Sequence, residues 1–155
     1  MGKKFLIDTN ILVYLSRDSF PGDIDKTCLD KIFAESFRIS VITQIEFLGW
    51  RKHTEKSFAT AKKMLAKAKI YSLDTNIVEQ TVRIRRQYRI KLPDAVIAAS
   101  CLVYDLTLVT LNDKDFEGID GLNMYNPLLV SADMPDAKNV LAEADSAVIK
   151  NSVII

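Results

Sequence analysis

Acidic and amide side chains follow the apolar runs of this sequence at four places. These are Asp8, Glu46, Asp94 and the cluster Asn112, Asp113 and Asp115. In a parallel α/β sheet, such places lie at the same edge, beyond the carboxyl ends of the strands. Three or more carboxylates there repel one another unless a cation neutralises them, and oxygen ligands without His or Cys suit Mg²⁺ or Mn²⁺. A metal of this kind activates water and polarises a phosphoryl group, which is the chemistry of phosphodiester hydrolysis.

Each acid also has an ordinary structural explanation. Glu46 lies three residues after Thr43, the spacing of a helix capping box. Asp94 fits a favourable negative charge in the first turn of a helix, and the acids after 106–110 fit a turn. Asp8 is harder to explain in this way, because a carboxylate emerging from a buried strand must be compensated for its desolvation. The combination is therefore more informative than any single acid.

The elements that must position these acids follow from the apolar pattern. Short β-prone runs at 4–7, 38–42, 70–73, 106–110 and 123–125 alternate with helical patterns at about 11–15, 25–35, 43–53, 56–68, 75–88 and 92–104. This alternation predicts a three-layer α/β/α domain over residues 1–130 with a mainly parallel sheet of four to five strands.

Length and composition favour one globular domain. The chain has 155 residues, of which 48% are hydrophobic and 26% charged, and its apolar runs are too short to cross a bilayer. We therefore expect no membrane contact and a cytoplasmic protein. Cys28 and Cys101 are too few for a disulfide framework or a zinc site, so we expect both to be reduced.

Positive charge is concentrated in the body of the chain. Residues 1–111 carry 18 Lys and Arg against 12 Asp and Glu, whereas 112–155 carry 3 against 8. Arg85, Arg86 and Arg89 fall on one face of a predicted helix and are candidate RNA phosphate contacts, with a plain solvated face as the alternative. We interpret the lysines at 62–69 as surface, His53 as a helix C-terminal cap and Trp50 as a core or partner contact.

Four sequence blocks occur in order across about residues 4–126. They are FLIDTN at 5–10, SVITQIE at 40–46, LPDAVIAA at 92–99 and LVTLNDKDF at 108–116. Together they resemble the PIN domain, and within that family the VapC-type toxins of bacterial and archaeal toxin–antitoxin pairs. The resemblance implies a Mg²⁺-dependent endoribonuclease, with Mn²⁺ as an alternative ion.

The resemblance also assigns roles to individual residues. The implied catalytic acids are Asp8, Glu46, Asp94 and Asp115; the implied metal ligands are these four and Asn112; and the implied hydrogen-bonding residues that orient the acids are Thr9, Asn10, Thr43 and Thr110. The expected partners are an RNA substrate, a protein antitoxin and a second copy of the chain.

Two other functions stay open from the sequence. A non-catalytic PIN-like module that binds RNA or protein is suggested by the neutral amide at Asn112. A metal-dependent phosphatase typically needs a second Asp two residues after the first, where this chain has Asn10. Beyond the domain, an apolar stripe predicts a short amphipathic helix within the C-terminal extension 131–155.

Overall fold

Residues 2–129 are described by a computed structural model of the chain, in which five strands alternate with six α-helices and one short 3₁₀ helix. The strands are β1 (Phe5–Ile7), β2 (Arg38–Ser40), β3 (Lys69–Tyr71), β4 (Thr107–Val109) and β5 (Met124–Tyr125). The helices are α1 (Thr9–Arg17), α2 (Lys26–Ser36), α3 (Val41–Leu48), α4 (Glu55–Leu65), α5 (Thr75–Gln87) and α6 (Leu92–Tyr104), and the 3₁₀ helix is Asp113–Phe116. The predicted α/β alternation is confirmed.

All pairings between these strands are parallel. Their hydrogen bonds define a three-stranded sheet, in which β4 lies between β1 and β5, and a two-stranded sheet of β2 and β3, where the sequence predicts one sheet of four to five strands. β1 runs beside β2. The register places Ile7 opposite Val109 at the ends of β1 and β4. The side chains that follow these two strands therefore emerge next to each other, at the edge where the sequence predicts a site.

Hydrophobic cores form on both faces of the sheet. Leu6 and Leu108 point to one face and pack with α5 and α6. Ile7 and Val109, the next residues along the same strands, point to the other face and pack with residues of α1 to α4. This alternation is the two-residue period of a strand, and it gives the predicted three-layer α/β/α arrangement.

The start of α3 differs from the prediction. β2 ends at Ser40, so Val41 and Ile42 belong to the helix and not to the strand. The hydroxyl of Ser40 accepts a hydrogen bond of 3.1 Å from the backbone N–H of Ile42 and caps the helix. Thr43 is therefore not the N-cap, and the capping-box explanation of Glu46 is wrong, because both residues lie inside the helix.

Other features follow the sequence more closely. Helix α6 spans the predicted range, with Pro93 in its first turn, where the missing N–H costs nothing. Cys28 and Cys101 are both free, as expected, and burial raises the pKa of the Cys101 thiol. Within 2–129, none of the helices is long and apolar enough to span a membrane. The predicted helix in 131–155 lies outside the described residues.

Candidate active site

Asp8 is the most deeply buried of the predicted site acids, and both of its carboxylate oxygens accept hydrogen bonds. It follows β1 directly, caps α1 and is 6% exposed. The backbone N–H of Thr9 donates to Oδ1 at 2.8 Å, and the hydroxyl of Thr110 donates to Oδ2 at 2.8 Å. Burial raises the pKa of Asp8 to about 6, although these two hydrogen bonds oppose the rise. The carboxylate is thus held firmly in place while its charge is only partly compensated.

A hydrogen-bond network joins the end of β1 to the end of β4 behind Asp8. The side-chain amide of Asn10 donates to the Thr110 hydroxyl at 3.3 Å, and its oxygen accepts from the Leu111 N–H at 3.3 Å. The Asn112 N–H also donates to the Thr110 hydroxyl, at 3.0 Å. Thr110 is fully buried. Because its oxygen accepts from both Asn10 and Asn112, its own proton is directed toward Asp8.

Glu46 reaches the same edge from the middle of α3. The Thr9 hydroxyl donates to Oε1 of Glu46 at 2.8 Å and lies 3.2 Å from the Thr43 hydroxyl. Desolvation by the surrounding protein raises the pKa of Glu46, and the Thr9 bond partly offsets that effect. Thr9 therefore touches two acids, Asp8 through its backbone and Glu46 through its side chain.

Asp94 lies in the first turn of α6, where a helix dipole alone favours the ionised form. Its pKa is nevertheless raised to about 7, first by burial and then by the negative charges of Asp8, Asp115 and Glu46. A residue that served only the helix start would not be penalised in this way. The charges of Asp8, Asp115 and Glu46 thus act on Asp94, although among the described residues no three His, Cys, Asp or Glu side chains are grouped closely enough to hold an ion.

The loop after β4 contributes Asp115 and not Asp113. The negative charge of Asp115 raises the pKa of both Asp8 and Asp94, and the Asn112 side-chain amide donates to the Asp115 carboxylate. Asp113 instead accepts a 2.6 Å hydrogen bond from Asn126. Asn112 thus anchors the neighbouring acid, and Asn126 holds the other acid in a separate contact.

Lys91 is a residue that the sequence interpretation did not place at the site. Its charge lowers the pKa of Asp94, which lies three residues later at the start of α6. The signal was present in the spacing, because residues three apart around a helix start are neighbours. One exposed lysine does not balance four carboxylates, so the negative charges near Asp94 are only partly compensated.

The predicted arginine face is only partly formed. Helix α5 ends at Gln87, so Arg89 lies outside it and does not share a helical face with Arg85 and Arg86, contrary to the prediction. The Arg85 guanidinium donates to the Ile90 carbonyl and supports the loop that leads into α6. The extended residue Tyr88 ends the helix and sends Arg89 in another direction.

Comparisons with known proteins identify the family of this chain. The PIN domain family model matches residues 5–122. A chain of a toxin–antitoxin complex from Klebsiella pneumoniae is 32% identical, with 82% of this chain and 100% of that chain covered and a TM-score of 0.63. A comparison with curated proteins finds no match.

Two further solved structures share the fold at lower identity. One is the DNA-bound VapBC from Salmonella typhimurium, with 22% identity, 81% of this chain and 98% of that chain covered, and a TM-score of 0.68. The other is VapBC-1 from nontypeable Haemophilus influenzae, with 20% identity, 79% and 96% covered, and a TM-score of 0.64.

Proposed function

This chain belongs to the PIN domain family as a VapC-like toxin, and from that premise we propose that it is a divalent-metal-dependent endoribonuclease. The toxin would hydrolyse RNA phosphodiester bonds in the cytoplasm, where its substrate is found. Its relative from Klebsiella pneumoniae is part of a toxin–antitoxin complex, and we propose a protein antitoxin and a second copy of this chain as its own partners.

The observation that carries the proposal is the placement of carboxylates at one sheet edge, where the charges of neighbouring acids act on Asp8 and Asp94. Asp94 feels the charges of Asp8, Glu46 and Asp115, and its pKa is raised to about 7. Keeping several acids together in a partly buried place costs stability, so their retention is best explained by a ligand that needs them. A divalent cation is the ligand that such a set of oxygens binds.

The residues fit a hard divalent ion by their chemistry. The donors are all oxygen, which suits Mg²⁺ or Mn²⁺ and not a thiolate- or imidazole-seeking metal. Within 2–129, no three His, Cys, Asp or Glu side chains are already grouped closely enough to hold an ion by themselves. Mg²⁺ does not need such a cage, because it usually keeps several waters and takes one or two carboxylates directly.

We assign the ligand positions to Asp8, Glu46 and Asp94, with Asp115 and Asn112 completing the site. A bound ion would supply an activated water and a polarised phosphoryl group. The protein's own contribution is orientation: Thr9 and Thr110 hold Asp8 by both oxygens, so this carboxylate offers one fixed direction to a ligand. Arg86 and Arg89 are both exposed, and we propose them as contacts for RNA phosphates.

Cleavage of RNA by the wild type beside Asp8→Asn tests the proposal. The wild type should cleave single-stranded RNA only with Mg²⁺ or Mn²⁺, and Asp8→Asn should be inactive while keeping the wild-type fold. Binding of RNA without cleavage by the wild type would favour the non-catalytic module instead. Hydrolysis of phosphomonoesters but not of RNA would favour the phosphatase. That function needs an acid at position 10, where the amide of Asn10 instead bonds Thr110 and Leu111.

A further inference from the structure

An aromatic patch with cations on its rings lies where α1 ends and α4 begins. Its members are Arg17, Trp50, His53, Phe58 and Lys62. The Arg17 guanidinium lies 5.4 Å from the Trp50 ring centroid, and the Lys62 ammonium lies 4.9 Å from the centroid of Phe58. His53 sits between the two aromatic rings, 5.2 Å from Trp50 and 5.9 Å from Phe58. The result is a continuous row of rings with a cation at each end.

The patch is held rigidly from beneath. The Nε2 of His53 bonds the Phe47 carbonyl at 2.9 Å, and its Nδ1 lies 3.0 Å from the Ser57 hydroxyl. Phe47 is a core residue, 4% exposed, and Ser57 forms the capping box of α4 with Thr54. A surface fixed in this way loses little conformational entropy when a ligand binds to it.

The upper side of the patch is open to solvent. Phe58 is 37% exposed, Trp50 is half-buried, and the side chains of Arg17 and Lys62 are exposed. The part of the rings that solvent reaches is therefore bordered by the cations of Arg17 and Lys62.

The net positive charge of residues 1–111 lies in the segment that contains Trp50, His53, Phe58 and Lys62. Residues 50–70 carry seven Lys and Arg and one acid, Glu55, whereas the rest of 1–111 carries 11 of each sign. Six of the seven cations are lysines. Protein–protein interfaces are depleted of Lys, whereas a phosphate backbone is bound by it. The charge therefore favours a nucleic acid over a protein as the occupant.

Two helices connect the patch to the acid site. Helix α1 begins at Thr9, which donates to Glu46, and ends at Arg17, about 12 Å away at 1.5 Å per residue. Glu46 itself lies only four residues before Trp50. The acids and the patch therefore lie toward the two ends of α1, and a short strand of RNA that contacts both would run along this helix.

We propose that this patch is a stacking subsite for an unpaired base of single-stranded RNA, with Trp50 and Arg17 as its platform. The inference rests on the proposed nuclease function and names the form of substrate that it takes. Bases of a single strand stack on aromatic rings and on guanidinium groups, and lysines track the backbone. A duplex hides the faces of its bases, so the subsite selects unpaired RNA.

Trp50 is the single tryptophan of the chain, so its fluorescence reports the subsite directly. The experiment uses full-length Asp8→Asn protein in divalent-free buffer with a short single-stranded oligoribonucleotide. We expect base stacking to quench the Trp50 emission. A matched oligomer that is abasic throughout should bind without quenching, and a matched duplex should quench much less. Equal quenching by all three ligands, or by none, would overturn the proposal.

Substitutions test the affinity. Arg17→Gln should weaken binding of the single strand severalfold, and Trp50→Leu roughly tenfold, the scale of one lost base stack. Lys69→Gln is a matched control, because Lys69 also lies over a ring, 5.2 Å from the centroid of Tyr71, but outside the patch. If Trp50→Leu does not fold, Arg17→Gln carries the test. If Lys69→Gln weakens binding as much as Arg17→Gln does, the loss of positive charge alone explains both effects, and the proposal is overturned.

The outcomes separate this inference from the nuclease function. If the wild type cleaves RNA but RNA does not quench Trp50 emission in the Asp8→Asn variant, the stacking subsite is rejected and the nuclease function is retained. Quenching without cleavage supports the subsite and rejects the nuclease. Unchanged RNA affinity with weakened antitoxin binding in Arg17→Gln assigns the patch to the protein partner and overturns the proposal.

Discussion

Thr110 donates a buried hydrogen bond of 2.8 Å to Oδ2 of Asp8, joining the residues that follow β4 and β1. This bond is the largest influence that lowers the pKa of Asp8 against the effect of burial. The position of the acid and its charge state therefore depend on the same hydroxyl. Because Thr110 contacts Asn10 and Asn112 as well, the hydroxyl cannot turn away without breaking other bonds.

Thr110→Val should shift the pH dependence of RNA cleavage to higher pH. Valine keeps the shape but removes the donor, so the pKa of Asp8 should rise above its value of about 6. Since a metal ligand must be deprotonated, divalent affinity and activity at pH 6 should fall more than at pH 8. Thr110→Ser, which keeps the hydroxyl, is the matched control. Parallel pH profiles for Thr110→Val and the wild type would contradict this reading.

Stability of the metal-free protein should decrease as pH rises. The pKa values of Asp8 and Asp94 are raised from the ordinary 3.8 to about 6 and about 7, so the folded protein binds protons more tightly than the unfolded chain. Their stabilising contribution is complete below about pH 4 and is lost as pH rises through 6 and 7. Melting temperatures in EDTA from pH 4 to 8 measure this loss.

Asp94→Asn should flatten that profile and should be more stable than the wild type at pH 8 in EDTA, because it removes one repelling charge. Glu79→Gln, an exposed acid on α5, is the control and should follow the wild type. Mg²⁺ should raise the melting temperature of the wild type at pH 8 and have little effect on Asp94→Asn. A wild-type melting temperature that rises steadily from pH 4 to 8 in EDTA would reject the charge repulsion.

The two acids of the loop after β4 should behave differently. Asp115 acts electrostatically on Asp8 and Asp94, whereas Asp113 is bonded to Asn126. Asp115→Asn should therefore lower Mg²⁺-dependent cleavage by about tenfold or more, the scale of 1.4 kcal/mol in a barrier. Asp113→Asn should affect cleavage much less and is the matched control. A greater loss in Asp113→Asn, measured by kcat/KM on one RNA, would show that the loop presents the other acid.

The order of the elements was predictable because local signals agreed with the tertiary structure. Pro93 fixed the start of α6, and the apolar runs fixed the strands. The start of α3 was not predictable in this way. Val41 and Ile42 favour a strand by their β-branched side chains, but Ser40 caps a helix at that point. Here a single side-chain hydrogen bond outweighed the propensity of two residues.

The positions of the acids after predicted strands allowed the site residues to be predicted, but the contacts between those residues could not be predicted from the sequence. Asp113 and Asp115 are equivalent in a sequence pattern, and they are distinguished by Asn126, which lies beyond them in the loop after β5. The direction of Arg89 depends likewise on the extended backbone of Tyr88, which ends α5. Contacts of this kind depend on the packed fold and carry no local signature.

Arg85, Arg86 and Arg89 should separate into a structural and a binding group. Arg85 donates to the Ile90 carbonyl, so Arg85→Gln should lower stability by about 0.5 to 1.5 kcal/mol, the usual worth of one hydrogen bond. Arg86→Gln and Arg89→Gln should leave stability unchanged but weaken RNA binding, each lowering the slope of log affinity against log salt by about one if it contacts a phosphate. Fluorescence anisotropy of a labelled RNA with Asp8→Asn protein at several salt concentrations measures these slopes. An unchanged slope in the Arg86→Gln and Arg89→Gln double variant would make both arginines ordinary solvated side chains.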